Sequence, residues 1–415
     1  MPDVADSARA AAETAARQSY GKLVAFLAAR SRDVAGAEDA LADALAEALT
    51  RWPQSGVPAN PEAWLLTVAR RRTTDRHRRR AVREAALPHL RLIGEELEEE
   101  AVRDKLPDER LGLLFACAHP DIDPSVRAPL ILQTVLGFDA ATIASAFLVS
   151  PATMGQRLVR AKARIRQAGI PFRVPERPEM AERLSAVLEA IYAAFSEGWA
   201  DASGAESRRR NLASEAIWLG RLVAGLMPDE PEALGLLSLM LHAEARRPAR
   251  RDADGAFVPL ADQDTGLWDA GLIAEADALL VRAGTLESMG RYQIEAAIQS
   301  VHAARRILGR TDWPALAVFY QALTTVTASP VAAVNRAVAI AFAGKPSKGL
   351  EMLDAIGDAR LDQYQPYWAA RAELLSMVGR SDEAASAYTL AIGLETDPAV
   401  RAFLERKRAG VLTSG

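Results

Sequence analysis

Between Gly36 and Leu49 the chain reads GAEDALADALAEAL, with leucine at 41, 45 and 49 and acid at 39, 43 and 47. Residues four apart share one face of a helix. This stretch is therefore predicted as a helix with an apolar stripe beside an acidic one. The same helical spacing recurs along most of the 415 residues, while alternating β-branched runs are scarce. The pattern predicts an all-α protein. Half of the residues are apolar, enough for substantial cores in more than one domain.

The formal net charge is −4, so any nucleic-acid binding must come from local basic patches. The single cysteine, Cys117, excludes an internal disulfide and suits a reducing compartment. Cys117 and His119 are spaced like a fragment of a metal site, but no second pair follows and zinc needs four ligands. No metal and no cofactor is expected. The first residues carry no apolar core of signal-peptide length, and no apolar run is long enough to span a bilayer. A cytoplasmic protein without membrane association is expected.

Two segments are strongly basic. The first, PEAWLLTVARRRTTDRHRRR, covers Pro61 to Arg80 and places Trp64, Leu65, Val68 and Ala69 on an apolar stripe. Arg70, Arg71, Arg72, Arg76, Arg78, Arg79 and Arg80 follow with Asp75 as the only acid. Such density repels itself unless a polyanion is near, and neutralised phosphates would make binding steeply salt-dependent. A merely solubilising helix end is the other reading. Trp64 is either a core anchor or a base-stacking platform. The second segment, DAATIASAFLVSPATMGQRLVRAKARIR, starts apolar and ends in a ladder of cations. Ser150-Pro151 is a helix start, with serine favoured as N-cap and proline at the first helical position. A helix over 151–166 turns Met154, Leu158 and Ile165 inward. With the preceding helix it makes a helix-turn-helix whose second member can enter a major groove. Thr153, Gln156 and Arg157 sit near its start, where base edges are read. Arg160, Lys162 and Arg164 would lie near phosphates, which position but do not specify. A surface helix with solvated arginines is the alternative. The acidic row Asp39, Asp43, Glu47 repels itself at i,i+4. It is either a soluble face or a docking face for a basic protein partner.

In this order the pieces resemble an extracytoplasmic-function (ECF) sigma factor of bacterial RNA polymerase, over residues 15–170. AEDALADALAEALTRW looks like the part that grips the β′ clamp helices of core polymerase. AWLLTVARRRTTDRHRRR resembles the part that melts and reads the −10 element, and the second basic segment resembles region 4.2, which reads the −35 element. The resemblance implies polymerase contacts at Asp39, Asp43 and Glu47, with the β flap a further contact. It implies −10 contacts at the loop 53–60, Trp64 and the arginines from Arg70 to Arg80. It implies −35 contacts at Ser150, Thr153, Gln156, Arg157, Arg160, Lys162 and Arg164. The organisation expected is region 2 over 1–80, an acidic linker over 81–107 and region 4 over 108–170.

More than 230 residues follow. PYWAARAELLSMVGRSDEAASAYTLAIGLETDP resembles one tetratricopeptide (TPR) repeat, with Trp368, Gly379, Ala384, Tyr388 and Ala391 at the positions of wedge, turn and small packing residues. Gly344 and Gly379 are 35 apart, close to the TPR period. TPR-like repeats are expected over 281–415, after a helical subdomain over 171–280. That subdomain carries an Asp-rich loop, RRDADGAFVPLADQDTGLWD, expected to lock onto the sigma modules or a partner; a hydrolase built on its carboxylates is the remote alternative. FACAHP, DADGAFVPLADQDTGLWD and GRYQIEAAIQSVHA resemble the ECF group with a large C-terminal helical extension. That group tends to be encoded beside a small YCII-like protein bearing a DGPF motif, which the resemblance makes a possible partner. The expected architecture is thus all-α: a region 2 bundle, a region 4 helix-turn-helix and TPR-like repeats. The expected function is promoter recognition for core RNA polymerase, with a tail that regulates it and no catalysis of its own. The alternative is a polymerase-independent helix-turn-helix regulator with a repeat-based sensor.

Overall fold

The computed structural model describes residues 4–84, 109–147, 149–199, 206–286 and 288–414; residues 85–107 of the expected 81–107 linker lie outside them. Among the described residues the chain is all-α, with no strand. Its contacts divide it into two compact units, 1–198 and 199–415.

The first unit holds α1 (Val4–Ser31), α2 (Val34–Ser55), α3 (Pro61–Glu84), α4 (Arg110–Cys117), α5 (Pro124–Leu136), α6 (Ala140–Ala146), α7 (Pro151–Gln167) and α8 (Arg177–Trp199). Local chemistry sets the ends. Asp33 caps α2 by accepting the Gly36 amide at 3.1 Å, and the chain leaves α2 through Gly56 at φ 83°. Asp123 and Asp139 cap α5 and α6 in the same way. The helix starting at Ser150-Pro151 is present as predicted: Ser150 Oγ accepts the Thr153 amide at 3.2 Å. α3 runs four residues past the expected boundary at Arg80.

The packing differs from the leucine stripe read in α2. Leu41 is buried, but Leu49 is half exposed, and the buried row is Ala40, Ala44, Ala48 and Trp52. Alanines let the neighbouring backbones come close, which leucines at the same positions would prevent.

The organisation also differs. Separate region 2 and region 4 modules were expected, yet α1 packs against α2 and α3 and, less extensively, against α4 and α5. Leu23, Val24 and Phe26 of α1 are fully buried there. At Gly21 the approach is so close that a Cβ would fall 2.0 Å from the Val135 carbonyl oxygen. Gly137, which ends α5 at φ 73°, sits against the Tyr20 ring. The compact unit also extends beyond residue 170. Ile170 is buried, and Arg183 of α8 donates to the Phe115 carbonyl at 3.0 Å.

The second unit holds α9 (Glu206–Leu226), α10 (Pro231–Ala245), α11 (Ala270–Gly284), α12 (Arg291–Ala303), the single turn α13 (Arg305–Leu308), α14 (Trp313–Thr327), α15 (Pro330–Phe342), α16 (Pro346–Asp354), α17 (Gln365–Met377), α18 (Ser381–Leu394) and α19 (Pro398–Ser414). Consecutive helices pack from α14 onward. Gly344 and Gly379, at φ 92° and 78°, make the turns between α15 and α16 and between α17 and α18. Ala384, Tyr388 and Ala391 are buried in the C-terminal core with Leu353, Leu374 and Leu375. Trp368 is only half buried, and its indole N–H donates to the Asp362 carbonyl at 3.0 Å.

Candidate nucleic-acid interface

α7 has two unlike halves. Met154, Leu158, Ala161 and Ile165 anchor it to the core. In the first half Thr153, Gln156, Arg157 and Arg160 are exposed, with Val159 between them. These side chains face solvent. A depression of about 350 Å³ runs beside them, with Arg157, Arg160 and Arg164 facing Asp121, Asp123 and Ser125. Ser150 works as a cap: its hydroxyl meets both the amide and the hydroxyl of Thr153.

The second half is tied back to the rest of the unit by ion pairs. Lys162, expected near phosphate, is mostly enclosed and forms an ion pair with Glu38 of α2. Arg166 reaches Asp33 at the start of α2 at 3.5 Å, and Arg164 pairs with Asp121 at 3.0 Å. Burial holds the Glu38 carboxyl above the ordinary carboxylate range, and the Lys162 ammonium pulls it partly back. The expectation of phosphate contact therefore does not hold for Lys162 in this arrangement, because its charge is enclosed with a carboxylate. Sequence reasoning missed Glu38. The available signal was an acid one residue from buried Ala37 and three from buried Leu41, on the flank of the apolar face.

α3 shows a milder version of the same division. Trp64 is half buried and meets the buried Trp52 edge-on, with centroids 5.4 Å apart, so it serves as a core anchor here. Arg70 is half buried with its guanidinium 4.9 Å from the centre of the Phe26 ring, a packed cation rather than an outward one. Arg71 is exposed. Arg72 donates to Glu47 at 2.9 Å, and Glu47 also takes Arg51 at 3.0 Å. Of the acidic row, Asp39 and Asp43 remain on the surface while Glu47 is half buried between two arginines. The side chains of Arg76, Arg78, Arg79 and Arg80 lie outside the described residues.

The remaining candidates have structural roles. Cys117 is buried with its sulfur 3.3 Å from the Thr134 hydroxyl, and burial pushes its thiol up to about 12. His119 Nδ1 accepts the Asp121 amide at 3.1 Å. Among the described residues no group of three or more histidines, cysteines or acids could hold a metal. In the Asp-rich loop Asp252 accepts the amides of Asp254 and Ala256, while Asp264 and Asp269 cap the helical turns that follow them. The loop, expected to lock onto the sigma modules or a partner, is held from within the second unit. Arg305 donates to the carbonyls of Leu260, Ala261 and Gln263. Among the described residues no helix is long and apolar enough to cross a membrane.

Comparison with known proteins places this geometry. Residues 16–83, spanning most of α1 with α2 and α3, match the family model for sigma-70 region 2. Residues 183–284 match a family of unknown function, DUF6596. No solved structure matches the chain. A relative from Rhizobium meliloti (strain 1021), named "Uncharacterized protein R00370", is 40% identical over 393 residues, covering 93% of this chain and 92% of that protein. The region 2 match supports a sigma factor acting in transcription initiation through core RNA polymerase and promoter DNA, a role that is not enzymatic. With similarity running along nearly its whole length, the chain belongs to the same family as the Rhizobium meliloti protein, and it carries sigma-70 region 2 at its amino-terminal end.

Proposed function

We propose that the protein is an ECF-type sigma factor in which α6 and α7 act as the region 4 helix-turn-helix. The observation that carries this is the exposed row Thr153, Gln156, Arg157 and Arg160 on a capped helix, in a chain that also matches sigma-70 region 2. Gln156 and Arg157 read base edges of the −35 element, and Arg160 sits on phosphate. Arg71, with the arginines further along α3, faces the −10 element. Asp39 and Asp43 present carboxylates to the β′ clamp helices, and the β flap holds the region 4 part. The extension, read as a helical subdomain over 171–280 followed by TPR-like repeats over 281–415, regulates promoter output, and a small DGPF/YCII-like protein is a candidate partner for it.

The Lys162–Glu38 pair supports a further point within this reading. In the free chain the recognition helix is fastened to the helix that meets polymerase, so the two promoter-binding parts hold each other in a closed form. Binding of polymerase to α2 then competes with α7 and frees it.

Reconstitution with core polymerase on candidate promoters tests the proposal. Specific transcripts that depend on Arg157 are expected. Tight duplex binding by the protein alone, with no transcripts and no association with core enzyme, would instead make it a polymerase-independent regulator.

A further inference from the structure

The second unit contains a cavity of about 730 Å³ between the 257–262 loop and the helices α17, α18 and α19. That volume is in the range of ligand sites, far beyond a packing defect. Its walls are held by specific contacts. Phe257 meets Phe403 edge-on, with centroids 5.6 Å apart. Arg251 ties the base of the loop to Asp397, the residue that caps α19. On the opposite wall the Tyr388 hydroxyl donates to Glu373 at 2.8 Å, and Lys407 pairs with the same carboxylate at 2.9 Å.

Two features of the lining still face the cavity. Phe257, Phe403 and Val411 turn partly exposed apolar surface into the cavity. Arg406 lies at its edge, exposed, and its side chain makes no hydrogen bond or ion pair among the described residues. Lys407 is already matched by Glu373, and the one acid in the lining, Asp262, acts on Arg305. The unmatched charge facing the cavity is therefore positive. Ser376 and Ser381 add hydroxyls with no partner among the described residues, suited to the amide groups of a second chain. Stacked helical hairpins characteristically bind extended segments on such surfaces.

We infer that this cavity is a binding site for a short acidic peptide segment bearing one large apolar side chain. The apolar side chain packs against the Phe257–Phe403 pair and Val411, and a neighbouring carboxylate pairs with Arg406. The inference does not depend on the sigma-factor reading, and its test involves neither polymerase nor promoter.

The full chain is titrated into fluorescein-labelled Gly-Glu-Phe-Glu-Gly and followed by anisotropy. Saturable binding is expected, weaker by about tenfold or more for Arg406→Glu, whose exposed site leaves the unfolding midpoint unchanged. Val411→Trp, which projects a bulky ring into the cavity, should also weaken it, and the peptides Gly-Lys-Phe-Lys-Gly and Gly-Glu-Ala-Glu-Gly should bind poorly. The assignment is overturned if the acidic peptide does not bind, or if Arg406→Glu binds it as well as the parent. It is equally overturned if free N-acetylphenylalanine competes as strongly as the peptide, since the ligand would then be a small acid.

Discussion

α3 and α7 look alike as sequence, each an apolar stripe followed by a crowd of arginines, yet the fold uses their cations differently. In α7 a lysine is enclosed with a carboxylate: the Lys162 and Glu38 side chains retain only 10% and 14% of their exposure. In α3 the corresponding cross-helix pair is open, with Arg72 at 48%. Both acids come from α2, so one acidic helix restrains both basic ones. The contrast shows that a cationic run does not define a binding surface by itself. What matters is which cations meet an acid of the same chain, and whether water can still screen them.

The largest effect should come from breaking the enclosed pair. Lys162→Met leaves Glu38 buried without a counter-charge and should lower stability by about 3–5 kcal/mol, read from urea unfolding at neutral pH. Adding Glu38→Gln should recover much of that loss. The pH dependence has a definite sign. A carboxyl raised in the folded state contributes stability that is complete below its ordinary range and lost as pH rises through the raised value. Lys162→Met raises Glu38 further, so its deficit relative to the parent should shrink on acidification toward the carboxylate range. A deficit that stays constant with pH would mean that Glu38 is not the group responsible.

Next comes the backbone contact that joins the two halves of the first unit. Gly21→Ala forces α1 away from the last turn of α5 and should cost about 1–3 kcal/mol. An unchanged melting temperature would show that the helices are not held this closely in solution. Arg157→Ala probes the exposed half of α7. It should leave stability unaltered while weakening promoter-dependent transcription about tenfold or more. Loss of stability in place of transcription would make α7 structural along its whole length. The smallest effect belongs to α3: Arg72→Gln opens an exposed pair and should change stability by less than about 1 kcal/mol. A loss as large as that of Lys162→Met would remove the distinction between the two helices.

Much of the local structure could be read ahead of the fold. The Ser150-Pro151 start, the apolar positions Met154, Leu158 and Ile165, and the turn glycines Gly344 and Gly379 are all where spacing placed them. Each depends on neighbours within a turn or two of chain. The leucine stripe of α2 was read less well, since Leu49 points to solvent and an alanine row makes the contact. Periodicity locates a face to within a residue or so, but only the neighbouring helix decides which of two adjacent rows is buried. The prolines at 171–178 suggested a boundary near residue 170. They mark a change of chain direction, while the contacts run on through α8 to residue 198.

The sequence by itself determined that the chain is helical, where some helices start or turn, as at Ser150-Pro151, Gly344 and Gly379, and which segments carry dense positive or negative charge. These follow from backbone geometry, capping and side-chain period, all of them short-range. Only the tertiary structure decided that Lys162 meets Glu38, 124 residues away along the chain, and that α1 serves both halves of the first unit. An ion pair across that distance leaves no periodic trace. It exists because two helices packed against a common core bring one ammonium and one carboxylate together, largely shielded from water.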